Sequence, residues 1–212
     1  RHPRFDEIAR ESLRNIVEQC ESLKRIAQNF ASFAAFPQSR KERRAFGRLV
    51  ADAVRLYAPE RPDGPRVVVS LDVPRDVHVL ADEDELRRVF LNLFNNAFEA
   101  MGPTGTLSVA ASVRGEEPDL VAQVRICDTG RGIPEEHRER LFEPYFSTRT
   151  GGTGLGLAIC RKIMHGHRGD VAFEPAPGGG ACFVLTLPCF RTAGAGEASF
   201  DPFGDTRTVH RG

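Results

Sequence analysis

Asn92 and Asn96 lie four residues apart with Glu99 three further on, a spacing that stacks all three on neighbouring turns along one side of a helix. Asparagine is a poor helix former because its amide competes for backbone hydrogen bonds. A neutral amide oxygen is, however, a suitable ligand for a magnesium ion already carrying phosphate oxygens, since such sites use few protein ligands. Asn96 is the candidate for that role, and the alternative is a solvated helix position. Further along, Ala122, Val124, Ile126 and Asp128 alternate onto one strand face, which sets a carboxylate in line with an apolar row. Burying that charge is costly unless a donor meets it. The exocyclic amine of adenine is such a donor, and an ionised aspartate is acceptor-only. Gly130 and Gly132 then make a turn without Cβ atoms, which lets backbone approach a flat base. The alternative is a turn-starting Asp-Thr-Gly with an exposed carboxylate.

The third cluster, Thr153-Gly154-Leu155-Gly156, opens a helical pattern, and the unpaired amides and positive dipole end of a helix N-terminus favour phosphate. It lacks the Gly-Lys-Ser/Thr ending of a P-loop and does not follow a strand as the dinucleotide fingerprint requires. A nucleotide held here is held in some third way. Read as an ordered set, these clusters and Phe142-Glu143-Pro144-Tyr145-Phe146 between them are expected to form one ATP site.

Elements must position these residues, and the chain of 212 residues suffices for one well-buried domain plus an accessory element. There is no run of eighteen apolar residues and no signal peptide, so a cytoplasmic chain is expected. Lysine plus arginine, 29, balances aspartate plus glutamate, 29, which argues against nucleic acid as a partner. Cys20, Cys127, Cys160, Cys182 and Cys189 show no CxxC spacing and are expected as reduced thiols, not as a disulfide framework or zinc site.

In chain order, Leu13, Ile16, Cys20, Leu23, Ala27, Phe30 and Ala34 step by three and four, the seam of a helix packed as in a coiled-coil-like bundle, stopped by Pro37. An ordinary amphipathic helix lying on the domain would give the same pattern. Residues 38–44 read as a basic and polar break, and Phe46 to Tyr57 as a second helix. Residues 66–71 and 76–81 read as a strand pair joined through Pro74. Asp82 is a good N-cap, with Glu85 completing a capping box, for the helix bearing Asn92 and Asn96. On that helix Leu86, Phe90, Leu93, Ala97 and Ala100 form the face that packs on the sheet.

Residues 106–113 and 120–127 are strands around a polar turn, and residues 131–153 are less regular, with a short helix over 135–141. A helix from about Leu155 ends at Gly166 as a left-handed stop, followed by strands over 171–174 and 181–187. After Cys189 the composition turns to that of a flexible tail. This order predicts an α/β chain, a two-layer α/β sandwich with a mixed sheet packed on helices and one long helix in front. The divisions are 1–37, 38–190 and 191–212.

Asn92-Leu-Phe-Asn-Asn96-Ala, Asp128-Thr-Gly-Arg-Gly132, Leu141-Phe-Glu-Pro-Tyr-Phe146 and Gly152-Thr-Gly-Leu-Gly-Leu157 resemble the N, G1, F and G2 boxes of the sensor histidine kinases, within the superfamily shared with gyrase, MutL and the Hsp90 chaperones. The match spans about Arg44 to Pro188, and residues 142–149 with 33–37 look most like the nitrogen-sensor subgroup. The resemblance implies a Bergerat-type ATP-binding fold in which Asn96 binds Mg²⁺ and Asp128 binds the adenine amine. It further implies a pocket formed by Gly130, Gly132, Ile133, Phe146, Thr153, Gly154, Leu155 and Gly156. Residues 142–152 would be a lid over the triphosphate, with Arg149 touching phosphate from it. Residues 13–37 resemble the second helix of the dimerisation and phosphoacceptor hairpin, with a homodimer possible.

Two departures matter. The phosphoacceptor box is absent: His2 is followed by Pro3 and Arg4, none of His78, His137, His165, His167 and His210 combines the acidic neighbour with the helical setting, and His167 reads as structural. The chain should therefore bind ATP without a histidine of its own to phosphorylate. Where hydrolysing members carry a glutamate that activates water, this chain has Asn92, and an amide takes no proton from water at neutral pH. The implied activity is transfer of the ATP γ-phosphate to a histidine on a separate hairpin helix, then to the receiver domain of a response regulator. The alternatives are an ATP-driven clamp of the gyrase, MutL or chaperone kind and a nucleotide-binding pseudokinase.

Overall fold

The computed structural model describes residues 39–58, 64–148 and 152–192, together with Arg10, residues 12–14, Ile16, Val17 and Cys20. The isolated early residues are helical, with Leu13, Ile16 and Val17 exposed. The remainder of the expected first helix, Arg149 in the lid, and the tail after Thr192 lie outside the described residues.

The strands are β1 (Glu42–Ala45), β2 (Arg66–Asp72), β3 (Val77–Ala81), β4 (Thr106–Arg114), β5 (Val121–Asp128), β6 (Asp170–Pro175) and β7 (Ala181–Arg191). The helices are α1 (Phe46–Tyr57), α2 (Glu83–Met101), the short α3 (Glu135–Arg138) and α4 (Gly156–Gly166). One sheet runs β1-β3-β7-β5-β4-β2, with β6 also on β7. Among the described residues only β2 and β4 pair in parallel, so the sheet is mixed. Alternation along β4 and β5 sends Leu107, Val109, Ala111, Ala122, Val124 and Ile126 inward. There they share one core with Phe46, Val50 and Val54 of α1, Leu86, Phe90, Leu93 and Ala97 of α2, and Ile159 and Ile163 of α4. This is the two-layer sandwich that the periodicities imply. Of the face expected on α2, Ala100 alone is only half-buried.

Several expectations are corrected. β2 and β3 do not pair with each other: β2 lies at one edge against β4 and β3 near the opposite edge between β1 and β7. Val73, fully buried between them in sequence, belongs to the core, so the chain crosses the molecule instead of turning back. Within the basic break, Glu42–Ala45 forms β1, paired antiparallel with β3 from Glu42↔Ala81 to Ala45↔His78. Its polarity suits an edge strand.

At the start of α2, Asp82 Oδ1 accepts from the Asp84 and Glu85 amides at 3.1 Å each, as a cap should. The Asp82 amide, however, donates to Nε2 of His167 at 3.0 Å, the partner that a capping box would assign to Glu85. The His167 ring is buried and donates through Nδ1 to the Ile163 carbonyl at 2.8 Å, so it ties the start of α2 to the end of α4. Burial pushes the Asp82 carboxyl up, yet the amides of Arg40, Glu85 and Asp84 and the neighbouring His167 outweigh it and hold its pKa below the ordinary value.

α4 does not stop on a left-handed Gly166, which is helical. Arg168 takes the left-handed conformation at φ 59°, with its amide on the His165 carbonyl and that of Gly169 on the Met164 carbonyl. That is a Schellman stop. The glycine stands one position later, at Gly169, where a Cβ would come 2.1 Å from the Thr186 carbonyl oxygen.

Cys127 and Cys182 are not free thiols: they face each other in the β5–β7 ladder and are joined as a disulfide. Their sequence separation of 55 hides that pairing. Cys160 and Cys189 are free and buried, and burial pushes their thiols up to about 12 and about 11, so both behave as apolar core residues at neutral pH.

Candidate functional site

One side of α2 assembles the site. Asn92 Nδ2 donates to the Gly156 carbonyl at 3.4 Å, against the first turn of α4. Two turns later the Ala100 carbonyl accepts from the Arg131 amide at 3.3 Å and lies directly against Gly130. A Cβ on Gly130 would sit 2.7 Å from that oxygen, so only glycine permits the approach. Asn96, half-buried, occupies the turn between these two contacts. The helix thus touches the Asp-Thr-Gly-Arg-Gly turn at one end of the stripe and the glycine-rich helix start at the other.

Asp128 closes β5 with its side chain on the buried face, 3% exposed, which removes the exposed-turn alternative. Its Oδ1 accepts from the Gly130 amide at 2.9 Å and from the Ala181 amide at 3.3 Å. The carboxylate is therefore oriented by backbone from its own turn and from the start of β7. Thr129 braces the turn, with its Oγ1 accepting from the Thr106 amide at 2.9 Å. Gly132 lies against Gly180, and Ile133 packs partly buried on the core.

The glycine-rich loop and the aromatic segment are interlocked. Gly154, at φ 65°, lies so close to the backbone of Tyr145 and Phe146 that a Cβ would stand 2.4 Å from the Tyr145 carbonyl carbon. Leu155 is buried, and Thr153 Oγ1 accepts weakly from its amide at 3.5 Å. Phe142 anchors the segment, edge-on to Phe183 with the Arg161 guanidinium 4.0 Å from its ring centre. Phe146 is half-buried under Arg140, at 4.4 Å, beside His137. Tyr145 between them is 64% exposed with φ 67°. Beyond it, Arg149 lies outside the described residues.

Among the described residues no group of three or more His, Cys, Asp or Glu side chains could cage a metal. Sequence reading missed three contributors: the Ala100 carbonyl, the Ala181 amide and Gly180, where a Cβ would lie 1.9 Å from the Asp128 carbonyl oxygen. The run Gly178-Gly179-Gly180 before β7 was the available signal for the last. No helix among the described residues is long and apolar enough to cross a membrane.

Residues 81–191 match the family model of the histidine kinase-, DNA gyrase B- and HSP90-like ATPases. The adaptive-response sensory kinase SasA of Crocosphaera subtropica is 42% identical over 125 residues, 57% of this chain and 32% of SasA. The nitrogen regulation protein NtrY of Azorhizobium caulinodans is 36% identical over 180 residues, 81% of this chain and 22% of NtrY. The chain thus spans a third or less of the length of these relatives. Among solved structures, the catalytic domain of histidine kinase ThkA superposes with a TM-score of 0.61 at 31% identity, covering 70% of this chain and 95% of that domain. ThkA in complex with the response regulator protein TrrA gives 0.69 at 25% identity, over 89% of this chain and 52% of that one. With fold, ordered motifs and relatives in agreement, the chain belongs to the histidine kinase-, DNA gyrase B- and HSP90-like ATPase family, as a catalytic domain of the sensor histidine kinase kind.

Proposed function

We propose that this chain binds ATP between α2 and the two glycine-rich segments and donates the γ-phosphate to a histidine on a phosphoacceptor hairpin, for relay to the receiver domain of a response regulator. The observation that carries the reading is the α2 stripe, with Asn92 at the start of α4, Ala100 at the turn after Asp128 and Asn96 between them. A nucleotide spanning that stripe has its base at Asp128 and its phosphates at the amides of Thr153 to Gly156. Asp128 would accept from the adenine amine, Gly130, Gly132 and Ile133 would flank the base, and Phe146 and Leu155 would line the phosphate end.

Asn96 would hold magnesium, which when bound neutralises triphosphate charge. Arg149 would reach the phosphates from the lid, adding parallel donors where charge develops in transfer. Asn92 favours transfer over hydrolysis: its amide is engaged at Gly156 and offers no base to activate water. Residues 1–37 would be the second helix of the hairpin, able to pair in a homodimer, in the cytoplasmic part of the parent sensor. The ThkA complex with TrrA supports a response regulator as partner.

The test supplies the first hairpin helix, with its histidine, as a separate peptide together with γ-labelled ATP. Acid-labile, base-stable label on the peptide is expected. Release of inorganic phosphate at the same rate with or without the peptide would favour the clamp reading, and ATP binding with neither outcome the pseudokinase.

A further inference from the structure

Ser39, Arg40 and Lys41 fall within the basic and polar break of the sequence, yet each contacts the ATP-binding fold. Ser39 Oγ donates to Glu85 Oε2 at 2.9 Å, the Arg40 amide donates to Asp82 Oδ2 at 2.8 Å, and Lys41 Nζ donates to the Gly166 carbonyl. The first two acceptors belong to the N-terminal end of α2 and the third to the C-terminal end of α4. A cation on the last carbonyls of a helix, at the negative end of its dipole, is favourably placed. Immediately afterwards Glu42 pairs with Ala81, so the entering chain is held in register along the residue preceding Asp82. His167 joins the same two helix ends from within, between the Asp82 amide and the Ile163 carbonyl, with Glu85 Oε2 3.8 Å from its Nδ1.

We infer that Ser39, Arg40 and Lys41 are positioning residues, a latch that fixes where the entering chain joins the ATP-binding fold and so the position of the phosphate relative to its acceptor. The inference rests on the kinase reading above, in which residues 1–37 form half of the hairpin. The transmission is mechanical. α2 and α4 lie antiparallel: Asp82 at the start of α2 meets His167 at the end of α4, and Asn92, midway along α2 and about 15 Å further on at about 1.5 Å per residue, meets Gly156 at the start of α4. The helix ends held by the latch, and the middle of α2 and start of α4 on the proposed phosphate side, thus belong to the same two packed helices. Exposed contacts of this kind are individually weak. Three in succession, one of them a main-chain amide on a carboxylate, define a direction that no single one could.

The double variant Ser39→Ala/Lys41→Ala tests this, because neither side chain approaches the nucleotide site. Expected are an unchanged thermal midpoint, ATP affinity within about twofold of the parent, exchange of the Arg40 amide accelerated at least about tenfold, and transfer to the supplied hairpin peptide changed at least about fivefold. Lys41→Arg, which keeps a donor to the Gly166 carbonyl, should stay close to the parent. A transfer rate within about twofold of the parent overturns the latch, as does a loss of ATP affinity in step with transfer. If the parent itself binds ATP but transfers nothing, the kinase reading fails and the latch falls with it.

Discussion

At Asp128 the oxygen that accepts from the Gly130 and Ala181 amides is committed to the fold, so truncating the side chain would confuse two effects. Asp128→Ala strands two backbone donors at about 1–3 kcal/mol each. Asp128→Asn is the cleaner probe, since the amide oxygen can keep both bonds while the new NH₂ cannot accept from an adenine amine. It should melt within a few degrees of the parent and lose at least tenfold in ATP affinity, about 1.4 kcal/mol, because a site built for a hydrogen bond is left unmatched. The same titration, run with and without magnesium, examines Asn96→Ala. That variant should keep its magnesium-free affinity and lose only the tightening that magnesium brings. Magnesium still sharpening binding would assign the ion to another ligand, and an Asp128→Asn variant binding like the parent would remove the acid from the purine site.

Both helices beside the site are held at their far ends by terminal chemistry. The Asp82 carboxyl sits below its ordinary pKa, so its stabilisation is fully present above the unfolded value of about 3.9 and is lost as pH falls through the lower folded value. Asp82→Ala should therefore cost about 1–2 kcal/mol at pH 7 in urea melts. The gap from the parent should narrow towards about pH 3; a constant gap would mean the cap acts by shape and not by charge. At the end of α4, Arg168 holds a left-handed backbone that costs an L-residue about 1 kcal/mol, and its side chain is exposed. Arg168→Gly should raise stability by about 0.5–1 kcal/mol, roughly 1–4 °C in the thermal midpoint. A fall would show that Arg168 makes a contribution beyond its backbone conformation.

Across the whole molecule, β7 pairs with β3, β5 and β6, and its first residues supply the Ala181 amide that orients Asp128. The latch, the paired helices and the glycine-rich segments therefore converge on one sheet. Much of this was legible in the chain itself. The alternation ending at Asp128, the helical spacing of Asn92 and Asn96 and the glycine before Leu155 are local patterns, because a strand repeats every two residues and a helix about every 3.6 whatever lies around it. Period thus indicated the layers and set Asp128 in line with an apolar row, while its burial, against the exposed-turn alternative, was decided by the packed core. Partners distant in sequence were decided only by folding: β2 on β4, Cys127 on Cys182, the Asp82 amide on His167, Gly130 on Ala100, and Lys41 on the end of α4. None of these follows from composition or spacing, since each depends on which surfaces the packed core brings within hydrogen-bond reach. The sequence determined what each segment could become and which chemistry it could carry, while tertiary packing chose which segments meet.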